Sequence, residues 1–233
     1  VYLTLDDVAI SRDNNWSFYA SGGFEEGVHL ITGPVGSGKT TLALLIARVL
    51  LPHSGKILTE GIGSVMLSQQ FPEYHTTSAT LAGEVSSWGL DPGKILPLAG
   101  LMERGSDDPF AISRGELKRL HLACVLAGEH DLLILDEPFS CLDCVGKELV
   151  CARIQERVHG ITLVLTHERW MLPRVTEIWE IRKGELVGLG RVPEAIRHWK
   201  SAPPIIAKLI EVGRLPANIS NTDIREAACK IRE

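Results

Sequence analysis

The segment Gly33-Pro34-Val35-Gly36-Ser37-Gly38-Lys39-Thr40 fits G-x-x-x-x-G-K-[ST], a spacing that suits it to hold a triphosphate. Glycines let the chain wrap so that successive N–H groups point inward at phosphate oxygens. The start of a following helix would add the positive end of its dipole. Lys39 would reach the β- and γ-phosphates, the Thr40 hydroxyl would be a Mg²⁺ ligand, and Thr41 falls in the same first turn. A second chemical pair closes the run Leu132-Leu133-Ile134-Leu135-Asp136-Glu137-Pro138. At the end of such a strand, Asp136 could hold Mg²⁺ through its waters, and Glu137, one step further on, could polarise a water attacking the γ-phosphate. A chance lysine in a glycine-rich turn, or two acids capping a strand, would explain either segment alone. Neither explains both in this order.

These residues need elements to carry them. Leu132 to Leu135 and Ile161 to Thr166 are continuous apolar runs, as expected of central parallel strands covered on both faces. Val28 to Thr32 leads into the glycine-rich turn, and an apolar helix is expected from Lys39 to about Leu51, closed by Pro52. Gly146 to Val158 reads as a crossover helix, and Val65 to Leu67 as a further short strand. Upstream, Leu3 to Ile10 and Trp16 to Ala20 alternate and are separated by Arg12-Asp13-Asn14-Asn15, which predicts antiparallel strands. Pro72 to Ile112 is broken repeatedly by Gly and Pro and reads as an inserted, mostly helical lobe. Leu117, Leu120, Ala123, Cys124 and Ala127 then recur at helical spacing. Ile178 to Leu189 reads as a hairpin about Lys183-Gly184-Glu185, and the tail from Pro203 as helical with a polar face. The expected fold is α/β: a P-loop NTPase core with a mixed sheet, an N-terminal antiparallel β subdomain and an inserted α-helical lobe.

Ile112-Ser113-Arg114-Gly115-Glu116-Leu117-Lys118-Arg119-Leu120 lies upstream of the two acids. Ser113 can cap the following helix, and Gly115 lets another backbone approach closely. In this order the motifs resemble the ATP-binding cassette (ABC) ATPases, whose signature is usually written L-S-G-G-Q. The resemblance implies that Ser113, Arg114, Gly115 and Glu116 face a γ-phosphate bound by a partner subunit. It likens Gln70 to the glutamine that touches Mg²⁺ and the attacking water, and His167 in Thr166-His167-Glu168 to the switch histidine. Asp143 in Ser140-Cys141-Leu142-Asp143 resembles the residue that reaches across a dimer. This D-loop match accounts for the C-x-x-C of Cys141 and Cys144 better than zinc does, since a second pair at zinc-finger spacing is missing. Arg114 departs from a signature glycine. No aromatic stands where the family usually stacks adenine, near Ile10 to Arg12. Arg12 or Trp16 could replace it, with the core the favoured place for Trp16.

The resemblance spans at least Leu3 to Gly190 and implies a nucleotide-binding domain over residues 1–200, with the lobe at about 72–128. Residues 201–233 would form a helical tail offering a dimer contact. Pro203-Pro204-Ile205-Ile206-Ala207-Lys208-Leu209, then Gly213 and Leu215-Pro216, resemble the end of energy-coupling factor transporter ATPases, as does Gln70-Phe71-Pro72-Glu73; His75 stands where that run usually carries a second glutamine. That group implies ATP and Mg²⁺ as cofactors and a second ABC ATPase subunit, identical or a paralogue. It also implies a transmembrane coupling protein and a membrane protein capturing a vitamin or metal ion. The expected place is the cytoplasmic face of the cell membrane, held peripherally. The alternatives are the ATPase of another importer or exporter, a soluble ABC ATPase, or a module that uses ATP only as a dimer clamp.

Composition narrows these. Hydrophobic residues at 45% and charged residues at 23% are ordinary for a globular protein. A net charge of -5 supplies no footprint for nucleic acid, and none is expected as a partner. The apolar stretch Thr41 to Leu51 is about half the ~20 residues a membrane span needs and contains Arg48. No charged-then-apolar N-terminal segment reads as an export signal. Five cysteines are an odd number, and reduced thiols are the expectation.

Overall fold

The structure is a computed structural model that describes residues 1–12 and 16–229. Most of the expected Arg12-to-Asn15 turn, and the side chain of Arg12 proposed to stack on a base, lie outside the described residues. Nine strands form one mixed sheet: β1 (Tyr2–Arg12), β2 (Trp16–Glu25), β3 (Gly27–Thr32), β4 (Ser54–Glu60), β5 (Val65–Ser68), β6 (Leu132–Asp136), β7 (Ile161–Thr166), β8 (Glu177–Arg182) and β9 (Glu185–Arg191). Their spatial order is β4-β1-β2-β9-β8-β3-β7-β6-β5. The stretch β8-β3-β7-β6-β5 is parallel throughout. β1, β2 and β4 pair antiparallel and join the rest through a short parallel β2–β9 pair. The expected β subdomain is therefore one wing of a continuous sheet.

Every residue of β6 and β7 is buried, which is why these runs show no alternation in the sequence. On one face they meet α1 (Lys39–Ile46) through Leu42, Leu45 and Ile46. On the other they meet α4 (Arg114–Ala127) and α5 (Cys144–Gln155) through Leu122, Val125, Val150 and Ile154. Each fully buried Leu or Ile of this kind is worth ~1.5–3 kcal/mol of apolar burial. The lobe contains α2 (Leu81–Ser87) and α3 (Pro92–Leu98), and has its own core of Leu81, Val85, Ile95, Leu96 and Leu101 against Leu120 and Cys124 of α4. α4 thus belongs to both bodies and carries the connection between them. In the tail, α6 (Pro204–Glu211) and α7 (Asn221–Cys229) follow one another, and Ile206 and Ile219 enter the same core as Leu30. No helix among the described residues is long and apolar enough to cross a membrane.

One expectation needs correcting, and one strand has no counterpart in the sequence reading. α1 ends at Ile46, not near Leu51: Ala47 caps it and Arg48 turns left-handed at φ 58°. Val49 and Leu51 are exposed, so their apolar character does not mark a helix face. β4 was not anticipated, because Ser54–Glu60 is an edge strand with no residue fully buried.

Candidate functional site

The chain leaves β3 at Thr32 and wraps through Gly33 to Gly38 before α1 begins. Gly38 occupies the N-cap of α1 at φ 109°, a conformation L side chains rarely adopt, and a Cβ there would stand 2.7 Å from the Phe18 ring. No side chain caps this terminus and no acid lies in its first turn. Its N–H groups and dipole are therefore directed at whatever anion the loop encloses.

Lys39 is buried, and its Nζ donates to the carbonyls of Gly33 (3.0 Å) and Pro34 (3.2 Å) and lies 3.3 Å from Glu137 Oε1. The Thr40 hydroxyl donates to Asp136 Oδ2 at 2.7 Å, joining the start of α1 to the end of β6. Asp136 Oδ1 is buried with no hydrogen-bond partner among the described residues. Burial pushes the Asp136 carboxyl above its ordinary pKa, and the neighbouring Glu137 adds to this, while Thr40, Lys39 and Lys118 pull it back. Hard oxygen donors, one of them a buried oxygen lacking a partner, are the chemistry of a divalent-cation site. Thr40 and Asp136 fit Mg²⁺ on that ground.

Glu137 follows with a left-handed backbone at φ 48°. Such a conformation in a non-glycine residue costs of order 1–3 kcal/mol, and the surrounding contacts must hold it. They do so at every carboxylate oxygen. Thr166 Oγ1 donates to Oε2 at 2.9 Å, the backbone N–H of His167 donates to Oε1 at 3.1 Å, and His167 Nδ1 lies 2.8 Å from Oε1. Facing a carboxylate, that nitrogen carries the proton, which leaves Nε2 for another partner. Glu168 N–H in turn donates to Thr166 Oγ1 at 2.9 Å. Thr166 is the residue whose part was not read from the sequence, although it stood inside the Thr166-His167-Glu168 run.

A cleft of 640 Å³ joins Val35, Gly36, Gly38, Lys39, Thr40, Thr41, Gln70, Glu137 and His167. Trp16 also lines it. Trp16 meets the core in part: it is half-buried, packed against the main core cluster and stacked on Phe18 (6.3 Å between centroids, 12°), and it also borders the cleft. Ser113, Arg114, Gly115, Glu116 and Asp143 do not line the cleft. Ser113 caps α4 reciprocally with Glu116, its hydroxyl donating to Glu116 Oε2 at 2.8 Å and accepting from Glu116 N–H at 3.3 Å. These Ser113 bonds, with Arg104 beside the other carboxylate oxygen, hold the Glu116 pKa below its ordinary value. A Cβ on Gly115 would stand 2.8 Å from the Cys141 carbonyl, which is the close approach its type suggested. Arg114 projects outward, 73% exposed, with Nε 3.3 Å from Glu73. Asp143 Oδ1 accepts from Gly146 N–H at 2.8 Å and caps α5. Cys141 and Cys144 are free and exposed, and no metal-holding cluster of His, Cys, Asp and Glu occurs among the described residues.

The family described as ABC transporter matches residues 21–140 of this chain. The sulfate/thiosulfate import ATP-binding protein CysA of Thermosynechococcus vestitus is 32% identical over 77% of the chain and 60% of its own length. A second such protein, from Gloeobacter violaceus, gives the same identity and also 60%. The chain therefore spans about three fifths of these import proteins. The energy-coupling factor transporter ATP-binding protein EcfA2 of Caldanaerobacter subterraneus is 30% identical, over 84% of this chain and 75% of that one. Among solved structures, cbiO1 of Clostridium perfringens, described as part of the ABC transporter complex cbiONQ, superposes with a TM-score of 0.64. The match covers 90% of this chain and 98% of cbiO1 at 23% identity, a likeness of fold.

Proposed function

The chain belongs to the ABC transporter family, and we propose that it binds Mg·ATP, hydrolyses it to ADP and phosphate, and powers a membrane importer. The observation that carries this is the convergence of Lys39, Thr40, Glu137 and His167 on one cleft beside an uncapped helix start, with Asp136 joined to it through its bond from Thr40. In the proposed mechanism the N–H groups of Val35 to Lys39 and the Lys39 ammonium hold the β- and γ-phosphates. Thr40, Asp136 and Gln70 would hold Mg²⁺, which supplies charge neutralisation at the phosphate oxygens. Glu137 orients the attacking water, and His167, positioned by its bond to Glu137, contacts the γ-phosphate. Positioning and charge do most of the work, since phosphoryl transfer leaves little covalent chemistry to the protein.

The other half of each site comes from a second ABC ATPase chain, identical or a paralogue. Ser113, Arg114, Gly115, Glu116 and Asp143, which stand outside the chain's own cleft, face the nucleotide held by that partner. At the finer level the importer is of the energy-coupling factor type for a vitamin or metal ion. The EcfA2 likeness and the tail sequence from Pro203 support this. A transmembrane coupling protein and a substrate-capture membrane protein complete the assembly, with this chain on the cytoplasmic face of the membrane. Phe71 (41% exposed) and Tyr74 (70%), edge to face at 5.8 Å just beyond Gln70, give the coupling protein an apolar landing point. A second reading, an importer of the sulfate type, is favoured by the 32% identity to CysA. Trp16 is the proposed platform for adenine.

Equilibrium binding of a fluorescent ATP analogue with Mg²⁺ tests the phosphate assignment. Lys39→Ala should weaken affinity by at least ~10-fold, as expected from losing a buried charged hydrogen-bond donor. Unchanged affinity would contradict it.

A further inference from the structure

One face of α4 is fastened to the segment that carries Gln70. Arg114, Lys118 and His121 sit at i, i+4 and i+7, and so line one side of the helix. Arg114 meets Glu73 at 3.3 Å. Lys118 donates to the carbonyls of Gln69 (3.2 Å) and Gln70 (2.9 Å). His121 Nε2 shares a hydrogen bond of 2.9 Å with Ser68 Oγ. Across the seam His75 stacks on His121 at 4.6 Å, and its Nε2 accepts the N–H of Gln69 at 3.3 Å. The Gln69–Gln70 backbone is thereby held from both sides.

Lys118 is the unusual member. It is 1% exposed and forms no ion pair among the described residues. A buried ammonium is costly unless its protons are well placed, and here two of them go to the carbonyls of Gln70 and the residue before it. A side chain serving only as packing would not need the charge. The same helix begins at Ser113, so one bonded seam joins Gln70 in the chain's own cleft to the residues that face the partner's nucleotide.

We propose that Lys118 is a positioning residue for ATP hydrolysis, holding the Gln70 backbone so that its side chain reaches the Mg·ATP site and moves with the start of α4. This rests on the assignment of Gln70 and the ATPase reading above. Lys118 does not line the cleft and acts through Gln70.

The test is a double-mutant cycle on ATP turnover, with nucleotide affinity measured beside it. Lys118→Met should lower kcat by about 10–100-fold, the range set by losing charged hydrogen bonds to two carbonyls. Lys118→Gln, which keeps an N–H donor, should recover part of that loss and carries the test if the Met variant does not fold. Nucleotide affinity should stay within about twofold in both, because every P-loop contact remains. In a Gln70→Ala background, either Lys118 variant should add less than about threefold, since residues acting through one another are not additive. Parental kcat in Lys118→Met and Lys118→Gln, equal losses of affinity and kcat, or losses that multiply in the double variant would each overturn the proposal. Glu137→Gln separates the two levels: if it impairs turnover and the Lys118 variants do not, the positioning role alone fails. If Glu137→Gln is also without effect, the hydrolytic reading itself fails.

Discussion

The helix starts at Gly38 and at Ser113, both proposed to face nucleotide, are finished differently. α1 begins at Gly38 with no side-chain cap and no acid in its first turn, inside a cleft lined by Lys39 and Thr40. α4 begins at Ser113 with a reciprocal cap from Glu116, which Arg104 holds in turn at 2.5 Å. The first leaves its N–H groups for an anion and relies on it. The second is satisfied within the chain and can stand on its own before any partner arrives. On the proposed reading, the contrast teaches that one site is built to need its ligand, whereas the other is a preformed surface for a nucleotide held by a second chain.

Substitutions at the two starts should separate accordingly. Gly38→Ala forces a side chain into a left-handed backbone and against Phe18, and should cost about 2–4 kcal/mol of stability from strain and overpacking together. Its affinity for the ATP analogue should fall at least ~10-fold as the loop is displaced. Thermal melts and binding titrations read both effects, and a variant with parental values for both would erase the distinction. Glu116→Ala should remove one half of the α4 cap and cost a smaller ~0.5–2 kcal/mol. Binding of nucleotide by the isolated chain should not change. A loss of affinity there would mean that the α4 start belongs to the chain's own cleft.

A still smaller effect should follow from pH along the seam between α4 and the Gln69–Gln70 segment. Burial holds the His121 pKa well below its ordinary value, and the adjacent His75 and Lys118 push the same way. His75 is lowered too, again chiefly by burial, with Lys118 adding and Glu84 opposing. The unfolded chain takes up these protons near pH 6.5 while the folded one resists, so the stability they allow is present above about pH 6.5 and lost as pH falls below it. His29 and His130 act in the same sense. Between pH 7.5 and 5.5 Tm should fall, and His121→Gln should flatten that slope by ~2–4 °C. An unchanged slope would show that His121 titrates as it does in the unfolded chain.

How much of this could be read beforehand depended on the kind of signal. The P-loop is a contiguous string whose glycines and lysine are each needed at a fixed place, so a turn from Gly33 to Gly38 between a strand and the helix at Lys39 was legible. The buried strands were legible as well, because burial on both faces leaves an unbroken apolar run ending at Asp136. β4 was not, since an edge strand with little to bury carries no pattern. The end of α1 was overrun because Val49 and Leu51 are apolar but exposed. Lys118 was invisible for another reason. Its neighbours on α4 set the helical spacing, and nothing local shows that its ammonium ends on the carbonyls of Gln69 and Gln70, some fifty residues earlier. The place of Trp16 at the cleft was illegible for a similar reason, because a ring that packs against the core on Phe18 and also borders a cleft looks like any core aromatic in one dimension.

The most direct test is the rate of phosphate release from Mg·ATP by the purified chain, alone and with its membrane partners, set beside that of Glu137→Gln. The account predicts turnover in the parent and a loss of about 10²–10⁴-fold in the variant, the scale of a positioned general base, with ATP binding retained. Equal rates in the two proteins would contradict it.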